Sequence, residues 1–275
     1  MFPKYSIALL CFFFFSKTIS AQELFVYTEP ASNMAMKSIG IRVANNFMRV
    51  SPTDQYQYRL VPEIMVGVSK KLMLHAETFF SNQLNIFRFN GAALYGKYRF
   101  YSEDEVHSHF RMAAYGRIAV NNSIVASPAV DLNGQNSGYE AGVVATKLIN
   151  KTAISASAGF VQAMNNTGTK KFVFETPLKN QHAAGYSLSI GQLVLPKEYT
   201  SYEQTNMNLM LEVLGQTNLS SGKSYIDLAP SVQFILLSKM RLDLGYRFPV
   251  VKDLYRMSND GFLVRLEYNI FNAYK

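Results

Sequence analysis

Twelve short stretches of this chain alternate apolar and polar residues, and the connectors between them are short and long in turn. In the last stretch Phe262, Val264, Leu266, Tyr268 and Ile270 fall on one side, while Leu263, Arg265, Glu267 and Asn269 fall on the other. Side chains two apart on a strand face the same way, so each stretch reads as a strand with one apolar and one polar face. A half-buried sheet in a soluble protein also alternates. Here the charges gather almost wholly on one face through all the repeats, which fits lipid outside and a polar lumen inside. The expected fold is all-β: a transmembrane, antiparallel, up-and-down β-barrel of about twelve strands.

The strands are expected at 38–49, 57–68, 72–80, 89–101, 109–121, 139–149, 152–163, 183–195, 205–214, 224–236, 240–249 and 261–271. The connectors test that reading independently, because a barrel with both termini in the periplasm has long outer loops after odd strands and tight turns after even ones. Ser69-Lys70-Lys71, Asn150-Lys151 and Leu237-Ser238-Lys239 are tight and follow even strands. The longest connectors, Asn122–Gly138 and Met164–His182, follow strands five and seven. Tyr101–Ser108 and Pro196–Gln204 are longer than an even connector should be, so counts of ten or fourteen strands stay open there. Pro230, on an apolar face, calls for a bulge or weak local pairing, since proline donates no ladder bond.

Residues 1–21 read as a secretory signal peptide: Lys4, then the apolar run Ile7 to Phe15, then Ser20-Ala21 ahead of Gln22. That apolar run is too short for a membrane helix, and the later segments carry charges too often to supply one. Residues 22–37 form a lead-in that hangs in the periplasm or tucks into the lumen, and 38–275 form one barrel domain. The only cysteine, Cys11, lies inside the signal peptide, so no disulfide or thiol chemistry is expected of the exported protein. Lys and Arg number 27 against 19 Asp and Glu. The excess is dispersed, with no basic run, which argues against a nucleic-acid partner. Tryptophan is absent, but 17 tyrosines can supply the interfacial girdle.

Once the lipid faces are set, the opposite faces become a list of lumen residues. Arg42, Arg59, Glu63, His75, Glu77, Tyr95, Lys97, Arg99, Arg111, Tyr115 and Arg117 come from the first half. Glu212, Asp227, Gln233, Arg241, Asp243, Arg247, Arg265 and Glu267 come from the second. The signs interleave, so these groups either pair across strands and fill the barrel, or form a charged constriction that selects solutes. The candidate selectivity set is Arg42, Arg59, Glu63, His75, Glu77, Arg99, Arg111, Arg117, Asp243, Arg247, Arg265 and Glu267. Strands six to eight instead turn Gly142, Ser155, Ser157, Gly159, Gly185, Ser187, Ser189 and Gly191 inward. Space beside so bare a wall is expected to be filled by one of the long loops or by the lead-in, since wide water-filled lumens belong to 16–18 strands. Phe172, Val173 and Phe174 are too apolar to stand in water and point to an inward fold or an extended hairpin.

His107 and His109 follow Glu103, Asp104 and Glu105, and His-x-His can ligate a metal from one strand face. The group falls in an expected periplasmic turn, where charges are ordinary, so neither metal nor cofactor is assigned. Ser81, Asn82, His75 and Glu77 lie close in sequence without a nucleophile context. No phosphate-binding loop, dinucleotide fingerprint or zinc-protease helix occurs. The chain is therefore not read as an enzyme.

The segment Tyr27-Thr28-Glu29-Pro30-Ala31-Ser32-Asn33-Met34-Ala35-Met36-Lys37-Ser38-Ile39-Gly40-Ile41-Arg42 resembles the start of a group of outer-membrane barrels from the Bacteroidota, itself distantly similar to meta-pathway phenol-degradation-like proteins. The resemblance implies an outer-membrane "transporter" that passes small, partly hydrophobic molecules; it carries over no functional residue. The C-terminal series Phe262, Val264, Leu266, Tyr268, Ile270 partly matches the signal read by the barrel-assembly machinery, although Asn272 interrupts it and Lys275 ends it. The expected protein is a monomer in outer-membrane lipid that passively admits a small solute. The rival expectations are a closed structural or adhesive barrel, a lipid-modifying enzyme and a soluble lipocalin-like barrel.

Overall fold

A computed structural model describes residues 25–50, 55–83, 86–106, 108–125, 127–167, 181–198, 201 and 203–274. Its elements are β1 (Ile39–Val50), β2 (Tyr56–Gly67), β3 (Leu72–Ser81), β4 (Arg88–Asp104), β5 (Ser108–Asn121) and β6 (Ser137–Ile149). They continue with β7 (Thr152–Met164), β8 (His182–Leu195), β9 (Asn206–Asn218), β10 (Ser224–Leu236), β11 (Met240–Lys252) and β12 (Ser258–Ile270). Each strand pairs antiparallel with its sequence neighbours, and β12 closes on β1 from Ile39↔Ile270 to Val50↔Ser258. The strand count is therefore twelve, and closure leaves no sheet edge.

The strand ends lie within a few residues of the alternation-based boundaries because the pattern stops where the chain turns. Asn150 takes a positive φ of 55° in the two residues between β6 and β7, a conformation asparagine tolerates better than most residues. The suspiciously long connector after strand four shrinks because β4 runs on to Asp104. The one before β9 stays long, and Lys151 Nζ donates to the Pro196 and Lys197 carbonyls there, at 3.1 and 2.6 Å. Pro230 keeps its partner Leu211 on β9, but β10 and β11 show no pairing at Ala229 and Pro230. Pro62 interrupts β2–β3 in the same way, as a residue without an N–H must.

The molecule is inside-out. Among the described residues, buried polar and charged side chains outnumber buried apolar ones, whereas Leu94, Ile118, Ile64, Leu188 and Leu266 are more than half exposed on the outer wall. That outer face would aggregate in water and suits hydrocarbon, which rules against the soluble-barrel expectation. Rings gather at both rims. Phe47, Tyr58, Phe87, Phe80 and Phe89 form a row of rings at centroid spacings of 5.2 to 6.0 Å on the loop rim. On the rim that carries the tight turns and the two ends of the barrel, Tyr101 and Phe110 meet at 6.0 Å. Paired rims of this kind mark the two interfaces of a membrane.

Candidate functional site: a closed, charged lumen

The lumen is filled from both ends. From the turn rim, residues 25–38 enter and lie across the bare wall. Phe25, Val26, Ala31 and Met34 are buried there, Met34 against Met65, Met73 and Tyr95. Since residues 25–36 join no strand ladder, their backbone groups need partners from the wall, and charges and a hydroxyl of the wall supply them. Glu212 accepts from the Val26, Tyr27 and Thr28 amides at 2.9 Å each, and from the Thr28 hydroxyl at 2.7 Å. Arg265 donates to the Val26 and Phe25 carbonyls at 2.7 and 2.9 Å. Lys97, fully buried, donates to the Pro30 and Ser32 carbonyls at 2.5 and 2.9 Å, and Arg111 reaches the Ser32 hydroxyl at 2.9 Å. Gly191 on β8 gives way to Phe25, whose ring lies 3.3 Å from where a Cβ would stand.

From the loop rim, the connector between β5 and β6 folds inward. Val130 and Leu132 join Phe79, Ala93, Ala119, Val161, Ala163 and Ala183 in an apolar cluster. Across the lumen, Gln216 on β9 pairs with both backbone groups of Val130, at 3.0 and 2.8 Å, and Arg59 meets Asp131 at 3.0 Å. Of the two long loops, this is the one the described residues place in the barrel. The segment with Phe172, Val173 and Phe174 lies outside them, as do the expected signal peptide and His107.

Between floor and lid lies a cavity of about 480 Å³. Eight of the sequence-derived candidates line it: Arg42, Arg59, Glu63, His75, Glu77, Arg117, Arg247 and Arg265. The other four lie elsewhere. Arg99 sits at the turn rim and donates to the Lys70 carbonyl at 2.8 Å, and Arg111 is held beneath the floor by Ser32 and by Asp104 at 2.9 Å. Asp243 and Glu267 are buried in the wall behind the cavity.

Most of these charges are paired, as a confined, poorly hydrated space requires. Arg42 serves three carboxylates: Glu29 at 3.0 Å, Glu63 at 3.1 Å and Glu267 at 2.8 Å. Glu267 also meets Arg241 at 2.6 Å, and Asp243 lies between Arg241 and Arg265, at 3.2 and 2.6 Å. Arg117 meets Glu77 at 2.6 Å and hydrogen-bonds Asn133 of the lid. Tyr115 lies over the bare wall, where a Cβ on Gly142 or Gly159 would come within 2.6 Å of its phenol oxygen, and it donates to Glu140 at 3.3 Å. On the far wall Arg256 grips Asp227 with two bonds of 2.6 Å and stacks 3.9 Å over Tyr225, while Arg247 shares the same carboxylate.

The two walls differ in their balance of charge. Around β2 to β6, the carboxylates Glu29, Glu63, Glu77 and Glu140 face the cations Arg42, Lys97 and Arg117, leaving one negative charge over. Around β10 to β12, the cations Arg241, Arg247, Arg256 and Arg265 are matched by the carboxylates Asp227, Asp243, Asp260 and Glu267, and Arg247, Arg256 and Arg265 are the cations that line the cavity there. Alternation along strand six would have found Glu140. No sequence signal marks Glu29, Asp131 and Arg256, which come from connectors. Ser81 and His75 lie on one strand about 20 Å apart, and His75 Nδ1 contacts Glu63, so they form no catalytic couple.

No family model matches the chain, and no curated protein matches its sequence. Solved structures do share its fold. The COG4313 outer membrane channel from Pseudomonas putida F1 is 12% identical, covers 89% of this chain and 99% of its own, and superposes with a TM-score of 0.57. The NanC porin, 9% identical, covers 85% of this chain and 98% of its own at 0.52; the KdgM porin, also 9% identical, covers 83% and 98% at 0.50. At such identities the likeness is one of fold.

Proposed function

We propose that this protein is a passive outer-membrane channel for small solutes, with the floor and lid as its constriction. The observation that carries the reading is the charged cavity enclosed by a wall whose outer face suits lipid. At about 480 Å³ it falls in the range that holds sugar-, amino-acid- or aromatic-acid-sized molecules. The shared fold of the three channels supports it. Residues 1–21 direct export, the barrel-assembly machinery inserts the chain, and it works as a monomer without a cofactor or a catalytic step. The resemblance of residues 27–42 to Bacteroidota barrels adds partly hydrophobic solutes to the candidates, and Tyr27, Tyr95, Tyr115 and Tyr225 give the cavity aromatic surface for them.

The segregated walls set the preference. A field running from the Arg247/Arg256 side to the Glu63/Glu77/Glu140 side orients a solute that carries both charges, so zwitterionic amino acids should enter faster than neutral sugars of equal size. Swelling of liposomes that hold the folded barrel tests this: solute-dependent swelling is expected, whereas liposomes as tight as empty ones would sink the channel reading. Arg117→Glu should move the zero-current potential in a salt gradient toward cation preference, while Arg99→Glu, at the rim, should move it far less. Equal shifts would remove the cavity from the ion path.

The double closure of the lumen favours a second reading, a closed barrel whose outer loops bind a ligand. It requires tight liposomes together with binding that vanishes when a loop is replaced.

A further inference from the structure

Beyond solute passage, we propose that Glu63, His75 and Glu77 form a binding site for a divalent transition-metal ion, Zn²⁺ by its chemistry. His75 and Glu77 are two apart on β3, hence on one face, and Glu63 is the direct cross-strand partner of Glu77 on β2. One ligand atom from each residue lies within 4.8 Å of the others. One imidazole nitrogen and two carboxylates make a mixed nitrogen and oxygen set suited to a borderline ion, and the rigid hairpin holds them ready. The ligand atoms have to close up around the ion, a movement that side-chain rotation covers.

A second observation points to a ligand. The His75 side chain is 2% exposed, and its Nε2 is buried without a hydrogen-bond partner, although a buried imidazole nitrogen is normally satisfied. Charge points the same way. Two carboxylates directly opposite on paired strands repel; Glu77 has Arg117 at 2.6 Å, but the cation beside Glu63, Arg42, is shared with Glu29 and Glu267. A divalent ion supplies the positive charge this wall lacks. All three residues line the cavity, so a fourth ligand can come from water or from a solute there.

Elemental analysis of the folded full-length barrel, stripped with chelator and dialysed against Zn²⁺, tests the site, with Co²⁺ absorption as a second probe of nitrogen and oxygen ligation. About one ion per chain is expected, as in a single three-ligand site. Glu77→Gln and His75→Ala should each weaken retention more than about tenfold. Glu140→Gln, in the same cavity, and His109→Ala, at the rim, should retain the ion. Heat-modified migration shows which variants fold, and Glu77→Gln, nearly isosteric, keeps the test alive if His75→Ala does not. No retained ion, or equal retention by folded Glu77→Gln, overturns the proposal.

Discussion

Deleting residues 25–36 should convert a nearly closed pore into one of severalfold higher conductance, with the barrel still folded. The wall does not depend on the segment: all twelve strand pairings are made between strands that the deletion leaves intact. The segment depends on the wall, through Glu212, Arg265, Lys97 and Arg111. Once it is gone these charges face water, which solvates them. Glu212→Ala is the gentler form of the experiment, because it strips three backbone amides and a hydroxyl of their shared acceptor. Hydrogen bonds to a charged group contribute about 1.5–3 kcal/mol each, and amides left buried without a partner cost a similar amount. Even about 3 kcal/mol lost from the docked state alters the docked-to-released ratio roughly a hundredfold. Planar bilayer recordings should show longer and larger openings. Conductance equal to that of the intact protein after complete deletion would mean that residues 25–36 do not close the path.

Leu94→Arg should destabilise the barrel by about 2–4 kcal/mol, the cost of an arginine on the lipid face at the bilayer midplane. Leu94 is 67% exposed on the outer wall, between Ala76 and Ile118 on the neighbouring strands, and sits midway along the apolar band. Phe100 lies on the same strand, six residues nearer the turn rim, and is also on the outer wall. Allowing for strand tilt, that separation is about 15 Å of depth. Phe100→Arg should therefore cost only about 0–1 kcal/mol, because the guanidinium reaches the headgroups. Denaturant midpoints in lipid vesicles, read by heat-modified migration, decide the matter. Equal losses at the two positions would contradict a membrane midplane at Leu94.

The alternation of residues such as Phe262 to Ile270 was enough to place twelve stretches, with ten or fourteen strands left open until the barrel closed, to orient their faces and to pick out His75, Glu77, Arg117 and Arg247 as inward. Both determinants are local: a period of two selects the face, and a strand that must satisfy its backbone in lipid has only its neighbours to pair with. Even the weakness at Pro230 was legible, since one missing N–H is a property of one residue. The bare wall of Gly142, Gly159 and Gly191 told of space needing an occupant without naming it. That choice belonged to the tertiary structure. The lead-in and the connector after β5 have no periodicity to read, and their contacts join residues far apart in the chain, from Ala31 with Thr146, 115 residues away, to Phe25 with Arg265, 240 away. Glu29, Asp131 and Arg256 reach the cavity by the same route. A strand's face follows from its own residues, but what crosses a lumen depends on which distant backbone groups find a buried charge to satisfy them, and only the closed barrel brings those together.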